Sequence, residues 1–254
     1  MLHSLFRILL FGAVLTFNLL LPNSASGAIG AQVSYDSGND VVGAYVSMPN
    51  GQGPYPAIIV IHEWWGLNQW IRDSADRLAE QGYVVLAVDL YRGEMADNPE
   101  DANRLSRSLP GQQATNDLKA AFNYLKSRQD VRSDKIAAVG WSTGGGYALT
   151  MALTTPDLAA CVINYGRVVT EPASIEKIAC PVLGIFGAND RTLPSRSILA
   201  FEKSCKEAGK TVEIHVIENA GQAFMNNTQP RYFAAEASEV AWEHITVFLD
   251  GLLQ

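Results

Sequence analysis

The pentapeptide Gly140-Trp141-Ser142-Thr143-Gly144 carries the residue of this chain best suited to covalent chemistry. An apolar, β-rich run at 135–139 precedes it, and an Ala/Leu/Met-rich stretch of helical pattern at 144–153 follows. A serine on a sharp strand-to-helix turn between two glycines stands clear of the sheet, where its hydroxyl can attack a carbonyl carbon. The helix starting there aims backbone N–H groups at the same spot, which suits a developing oxyanion. An ordinary glycine-rich turn is the plainer reading, but such a pentapeptide rarely falls between a buried strand and a helix.

Acyl transfer through a serine also needs an acid and a base, and in this strand–turn–helix context they follow the nucleophile in chain order. Asp190, in Gly187-Ala188-Asn189-Asp190 just past the strand at 182–186, is the candidate acid. The competing reading is a turn-forming aspartate. The base should follow the last strand, at 212–217, in the loop Glu218-Asn219-Ala220-Gly221-Gln222-Ala223-Phe224, and that loop holds no histidine. Gln222 fills the slot. His215 lies within the strand, His244 on the final helix and His62 at the end of an earlier strand.

The elements that must position these residues are read from hydrophobic period. Strands are expected at 32–35 and 41–48 around the turn Ser37-Gly38-Asn39-Asp40, then at 57–61, 83–88, 135–139, 158–165, 182–186 and 212–217. Helical patterns fall at 69–81, 115–127, 144–153, 195–208 and 232–252. Such alternation, with uniformly apolar strands, predicts an α/β architecture: a mostly parallel central sheet with helices on both faces. The least regular stretch, 91–113, is expected to form a cap over the site.

Composition bounds the partners. The chain has 254 residues, 48% hydrophobic and 18% charged, with a formal charge of -7. That acidity and the lack of a clustered Lys/Arg stretch argue against nucleic acid. Arg7, the apolar run at 8–21 and the small polar residues at 22–28 read as an export signal. We therefore expect residues 1–27 to be a signal peptide and 28–254 to be one domain, secreted or periplasmic and free of the membrane after cleavage. The apolar run is short for a membrane anchor, which is the alternative. Cys161, Cys180 and Cys205 fit neither a disulfide framework nor a zinc pattern.

The motifs His62-Glu63-Trp64-Trp65-Gly66-Leu67-Asn68, Asp89-Leu90-Tyr91, Gly140-Trp141-Ser142-Thr143-Gly144-Gly145 and Asn164-Tyr165-Gly166 resemble, in order, those of the dienelactone hydrolase family of the α/β-hydrolase superfamily. So do Gly187-Ala188-Asn189-Asp190 and Ala220-Gly221-Gln222-Ala223-Phe224-Met225-Asn226, and the resemblance spans roughly residues 31–253. It implies the α/β-hydrolase fold, hydrolysis of esters or lactones, and no cofactor or metal. It further implies Ser142 as nucleophile, Asp190 as acid, Glu63 as auxiliary carboxylate, and an oxyanion hole from the N–H groups of Thr143 and Trp64. Trp65, Arg92, Trp141 and Phe224 are the candidate substrate contacts.

Two departures stand out. Serine replaces the family's usual cysteine, and Gln222 replaces its histidine. The family's carboxylate-binding arginine would fall near Asn226, leaving Arg92 as the candidate anion contact. A glutamine donates or accepts a hydrogen bond but cannot shuttle a proton. Glu63, or with less support His62, is the alternative base. The reading is therefore an ester or lactone hydrolase with atypical base catalysis. Its rival is a protein that binds a small acyl or aromatic ligand in the same pocket.

Overall fold

The computed structural model describes residues 27–254. Strands β1 (Ile29–Ser37) and β2 (Asp40–Met48) form an antiparallel hairpin at the expected turn, where Gly38 takes φ +64°. Next come β3 (Tyr55–Ile61), β4 (Val84–Val88), β5 (Val131–Trp141), β6 (Ala160–Asn164), β7 (Val182–Gly187) and β8 (Val212–Ile217). They join one eight-stranded sheet in the order β1-β2-β4-β3-β5-β6-β7-β8. From β3 to β8 every pairing is parallel.

The helices are α1 (Gln69–Ala79), α2 (Pro99–Ser108), α3 (Gly111–Ser127), α4 (Thr143–Thr154), α5 (Pro172–Ile175), α6 (Ser195–Glu207) and α7 (Ala235–Leu253). Strand alternation sends side chains to two cores. Ile58, Val60, Val85 and Ala87 pack under α1 and α7 with Leu78, Trp242 and Leu249. Ile59, Ile61 and Leu86 pack on the other face under α3, α4 and α6 with Leu118, Leu149 and Phe201. A parallel sheet buried on both faces needs such continuous apolar strands.

Several elements differ from expectation, among them α3, which starts at Gly111 rather than 115, and β5, which starts at Val131 rather than 135. The stretch read as an irregular cap contains α2. Asn98 caps it, its Oδ1 accepting from the Glu100 and Asp101 N–H groups at 3.0 Å each, and Pro99 occupies the first turn. A cap followed by proline is a helix-start signal, and the few apolar residues behind it, Ala102 and Leu105, are the ones α2 buries. The final helix starts at Ala235 rather than 232, because residues 226–234 form turns that close with Ala234 N–H donating to Phe224 O at 3.0 Å. The short α5 has too few residues for a period to register. The expected export signal lies outside the described residues, Gly27 excepted. Among the described residues no helix is long and apolar enough to cross a membrane.

Candidate active site

Parallel strands put their carboxyl ends on one edge, and the loops leaving β5, β6, β7 and β8 meet there. Ser142 follows β5 directly, with φ 54° and ψ -116°. A non-glycine residue held there costs on the order of 1–3 kcal/mol, so the surroundings must fix it. Its N–H donates to Asn164 O at 2.9 Å, and its carbonyl accepts from Gly146 N–H at 3.3 Å. The flanking glycines permit the close approach. A Cβ on Gly140 would lie 2.0 Å from Gly144 O, and one on Gly144 would lie 2.2 Å from Ile61 O and 2.5 Å from His62 O.

That second contact seats the end of β3, and with it Trp64, against the first turn of α4. Thr143 is the first helical residue, so its N–H has no partner within the helix. Among the described residues neither Thr143 N–H nor Trp64 N–H donates to another group. Both remain available to a ligand oxygen.

The loop after β8 delivers Gln222, whose Nε2 donates to Ser142 Oγ at 2.9 Å. Its Oε1 lies 3.3 Å from Thr192 Oγ1. Thr192 also holds Asp190, whose Oδ1 accepts from Thr192 N–H and Oγ1 at 2.7 Å each and from Leu193 N–H at 3.3 Å. Asp190 Oδ2 is buried and has no partner among the described residues. Ser142, Gln222 and Asp190 thus meet through Thr192, a link that no sequence motif signalled. The serine Oγ is touched by a donor, and among the described residues no titratable group is hydrogen-bonded to it.

Glu63 is buried, and its Oε2 accepts from Asn226 Nδ2 at 2.7 Å. Asn226 Oδ1 accepts from Thr228 N–H and Oγ1, which fixes the amide so that its N–H₂ faces the carboxylate. The Tyr165 hydroxyl lies beside the same carboxylate. Burial pushes the Glu63 pKa up to about 7 against the lowering pull of Asn226 and Tyr165. No hydrogen bond joins Glu63 to Ser142 among the described residues; its partner is the loop that carries Gln222.

His62 is spent on the backbone. Its Nδ1 donates to Glu63 O at 2.6 Å, and its Nε2 accepts from Leu90 N–H at 3.2 Å. Burial lowers its pKa and favours this neutral ring, and both nitrogens are occupied.

A cavity of about 620 Å³ opens over Ser142, Thr143 and Gln222. Tyr147, Leu149, Leu153, Val168 and Val169 give it an apolar wall, and Ser106 of α2 belongs to its lining. The size suits a small organic molecule. The candidate substrate contacts must be corrected here, since none of the four lines this cavity. Trp141 is fully buried on the opposite face of β5, edge-on to Trp70 at 5.3 Å and against Trp242 at 5.7 Å. Phe224 is equally buried against Tyr165, with ring centroids 5.4 Å apart. Trp65 packs edge-on to Trp64, 5.1 Å away, and is itself buried. Aromatic bulk beside a motif served packing in each case. Arg92 is held by two carboxylates, Asp40 at 2.7 Å and Asp117 at 2.9 Å, so its charge is already neutralised.

The cation that does line the cavity is Arg167, which the sequence reading missed. It directly follows Asn164-Tyr165-Gly166 at the carboxyl end of β6, and that position was the available signal. It is exposed, and among the described residues it has no ion pair.

Residues 42–253 match the model described as "Dienelactone hydrolase family". A Yersinia pestis protein named "Putative carboxymethylenebutenolidase" is 32% identical over 229 residues, covering 84% of this chain and 85% of its own length. A Bradyrhizobium protein named "Probable 2-oxo-3-(5-oxofuran-2-ylidene)propanoate lactonase" is 29% identical over 219 residues, 81% of this chain and 88% of that one. The crystal structure titled "Putative Dienelactone Hydrolase" from Klebsiella pneumoniae superposes with a TM-score of 0.81 at 27% identity, covering 88% of this chain and 98% of that one.

Proposed function

The chain belongs to the dienelactone hydrolase family, and we propose that it hydrolyses carboxylic esters or lactones by acyl transfer through Ser142. The observation carrying this reading is the strained Ser142 elbow in the lining of the cavity, beside the unengaged N–H of Thr143. Ser142 Oγ attacks the carbonyl carbon, and the N–H groups of Thr143 and Trp64 receive the oxygen as it becomes an oxyanion. Gln222 Nε2 steadies the serine oxygen as charge develops but cannot take its proton. That proton passes to cavity water or to the leaving oxygen. Water then hydrolyses the acyl-enzyme.

Without a titratable base on Oγ the reaction is slow, because removing the base of a serine triad costs about a millionfold in kcat. The substrate enters against the apolar wall, and Arg167 at the cavity lining favours esters with an anionic substituent. The lactonase name borne by the Bradyrhizobium relative is consistent with a cyclic ester. The signal-like residues 1–27 support action outside the cytoplasm, which cell fractionation tests.

One observation favours a second reading, binding without turnover: the serine hydroxyl has a donor, not a base, as its partner. Turnover of a short-chain p-nitrophenyl ester, with Ser142→Ala as the blank, separates the two. A rate equal to the blank, together with no labelling of Ser142 by a fluorophosphonate, overturns the hydrolase reading.

A further inference from the structure

The strand and helix that flank the loop carrying Gln222 hold a second cluster, none of whose residues lines the cavity. Glu213 and His215 sit two apart on β8, so their side chains share one face of the edge strand. His244 reaches them from α7. The rings of His215 and His244 stack with centroids 3.6 Å apart and planes 20° from parallel. His215 Nε2 lies 2.5 Å from Glu213 Oε1, and one donor atom from each of the three residues lies within 4.8 Å of the other two.

We propose that Glu213, His215 and His244 bind one divalent transition-metal ion of the zinc class, which fastens β8 to α7 across the roots of the 218–234 loop. Two imidazoles and one carboxylate are the nitrogen and oxygen donors that zinc accepts, at about 2.0–2.2 Å each, with a fourth position open to water. Donors around one such ion stand roughly 3.3 Å apart by that geometry. Glu213 is exposed and the two rings only half-buried, so side-chain rotation alone brings the set from its present spread to that spacing. Binding turns the stacked rings until both lone pairs converge on the ion.

The loop between the two roots carries Gln222 on Ser142 and Asn226 on Glu63. The ion is a fastener for that loop and takes no part in the acyl chemistry, so the site stands or falls independently of the hydrolase reading.

Calorimetric titration of the purified, tag-free protein with zinc chloride at pH 7.5 tests it. One equivalent is expected, with affinity lowered in His215→Ala and His244→Ala by at least the roughly 10- to 100-fold that loss of a mere outer partner costs. Glu213→Gln, an exposed and conservative change, should weaken binding as well, and zinc should raise the melting temperature of the wild type alone. No binding at millimolar zinc overturns the site, and so does binding unchanged in Glu213→Gln or in either histidine variant.

Discussion

Gln222→His is the substitution that interrogates the site most directly. Gln222 Nε2 already lies 2.9 Å from Ser142 Oγ, so an imidazole on the same backbone reaches the serine without moving the loop. On the far side Asp190 Oδ1 is engaged by three donors, while Oδ2 is buried and unpaired among the described residues. That oxygen is the acceptor an Nδ1–H requires to orient the ring and to stabilise it once protonated. Loss of a triad base costs about a millionfold, or roughly 8 kcal/mol at 1.36 kcal/mol per factor of ten. General-base catalysis by a newly placed group recovers about 10²- to 10⁴-fold, some 3–5 kcal/mol, the remainder depending on fine alignment. The assay is initial-rate hydrolysis of p-nitrophenyl acetate by the wild type, Gln222→His, Gln222→His/Asp190→Asn and Ser142→Ala. The gain should vanish in the double variant, and the rate of the single variant should climb with pH through about 6.5 as the imidazole loses its proton. A Gln222→His protein no faster than wild type, with its imidazole seen on Ser142 Oγ, would falsify the view that only the base is wanting.

Other consequences are open to measurement. Glu63 has a folded pKa of about 7 against an ordinary value of 4.5. The folded state therefore holds its proton more tightly, and stability falls as pH rises from 4.5 to 7 and levels off above. The cost at that upper limit is about 3 kcal/mol. Glu63→Gln should remove most of this slope, and urea unfolding at pH 5 and pH 8 reads it; parallel pH dependences in the two proteins contradict the assignment. Gly144→Ala places a methyl against two backbone oxygens that cannot yield, so about 3 kcal/mol of stability and nearly all Ser142 reactivity should be lost, as thermal melts and fluorophosphonate labelling would register. Arg167→Ala should raise KM for a carboxylate-bearing ester about tenfold or more, the value of one hydrogen bond to a charge, and leave an uncharged ester unaffected. An equal effect on both esters would assign Arg167 to packing rather than to recognition.

What was legible from sequence was whatever a local pattern enforces. Continuous apolar runs specify strands buried on both faces, and the expected strand centres all lie within observed strands. The turn at Gly38 and the elbow at Ser142 are each decided by a few consecutive residues. Misreadings arose where one residue type serves two purposes. Trp141 and Phe224 flank motif residues, yet chain direction at β5 and in the 218–234 loop turns their rings into the core behind the site. Arg92 looked like an anion contact until the fold brought Asp40 and Asp117, far away in sequence, onto its guanidinium. Thr192 and Arg167 escaped because their roles depend on which strands are neighbours, information that hydrophobic period does not contain.

Three independent costs converge on one edge of this sheet. Ser142 occupies a backbone conformation worth on the order of 1–3 kcal/mol of strain. Asp190 keeps a buried carboxylate oxygen without a partner among the described residues, and such an unsatisfied acceptor costs about 1–3 kcal/mol or more. Glu63 is a carboxyl taken wholly out of water. A pocket that only holds an apolar ligand gains nothing from any of these, since shape and wall polarity would serve it. An acyl-transfer site gains from each: the strain presents the nucleophile, the spare acceptor waits for an imidazole or its replacement, and the buried carboxyl, gripped by Asn226, anchors the loop that brings Gln222 to the serine. On the proposed reading, the amide at position 222 is one altered part of an acyl-transfer site whose elbow, acid and buried carboxyl are otherwise in place.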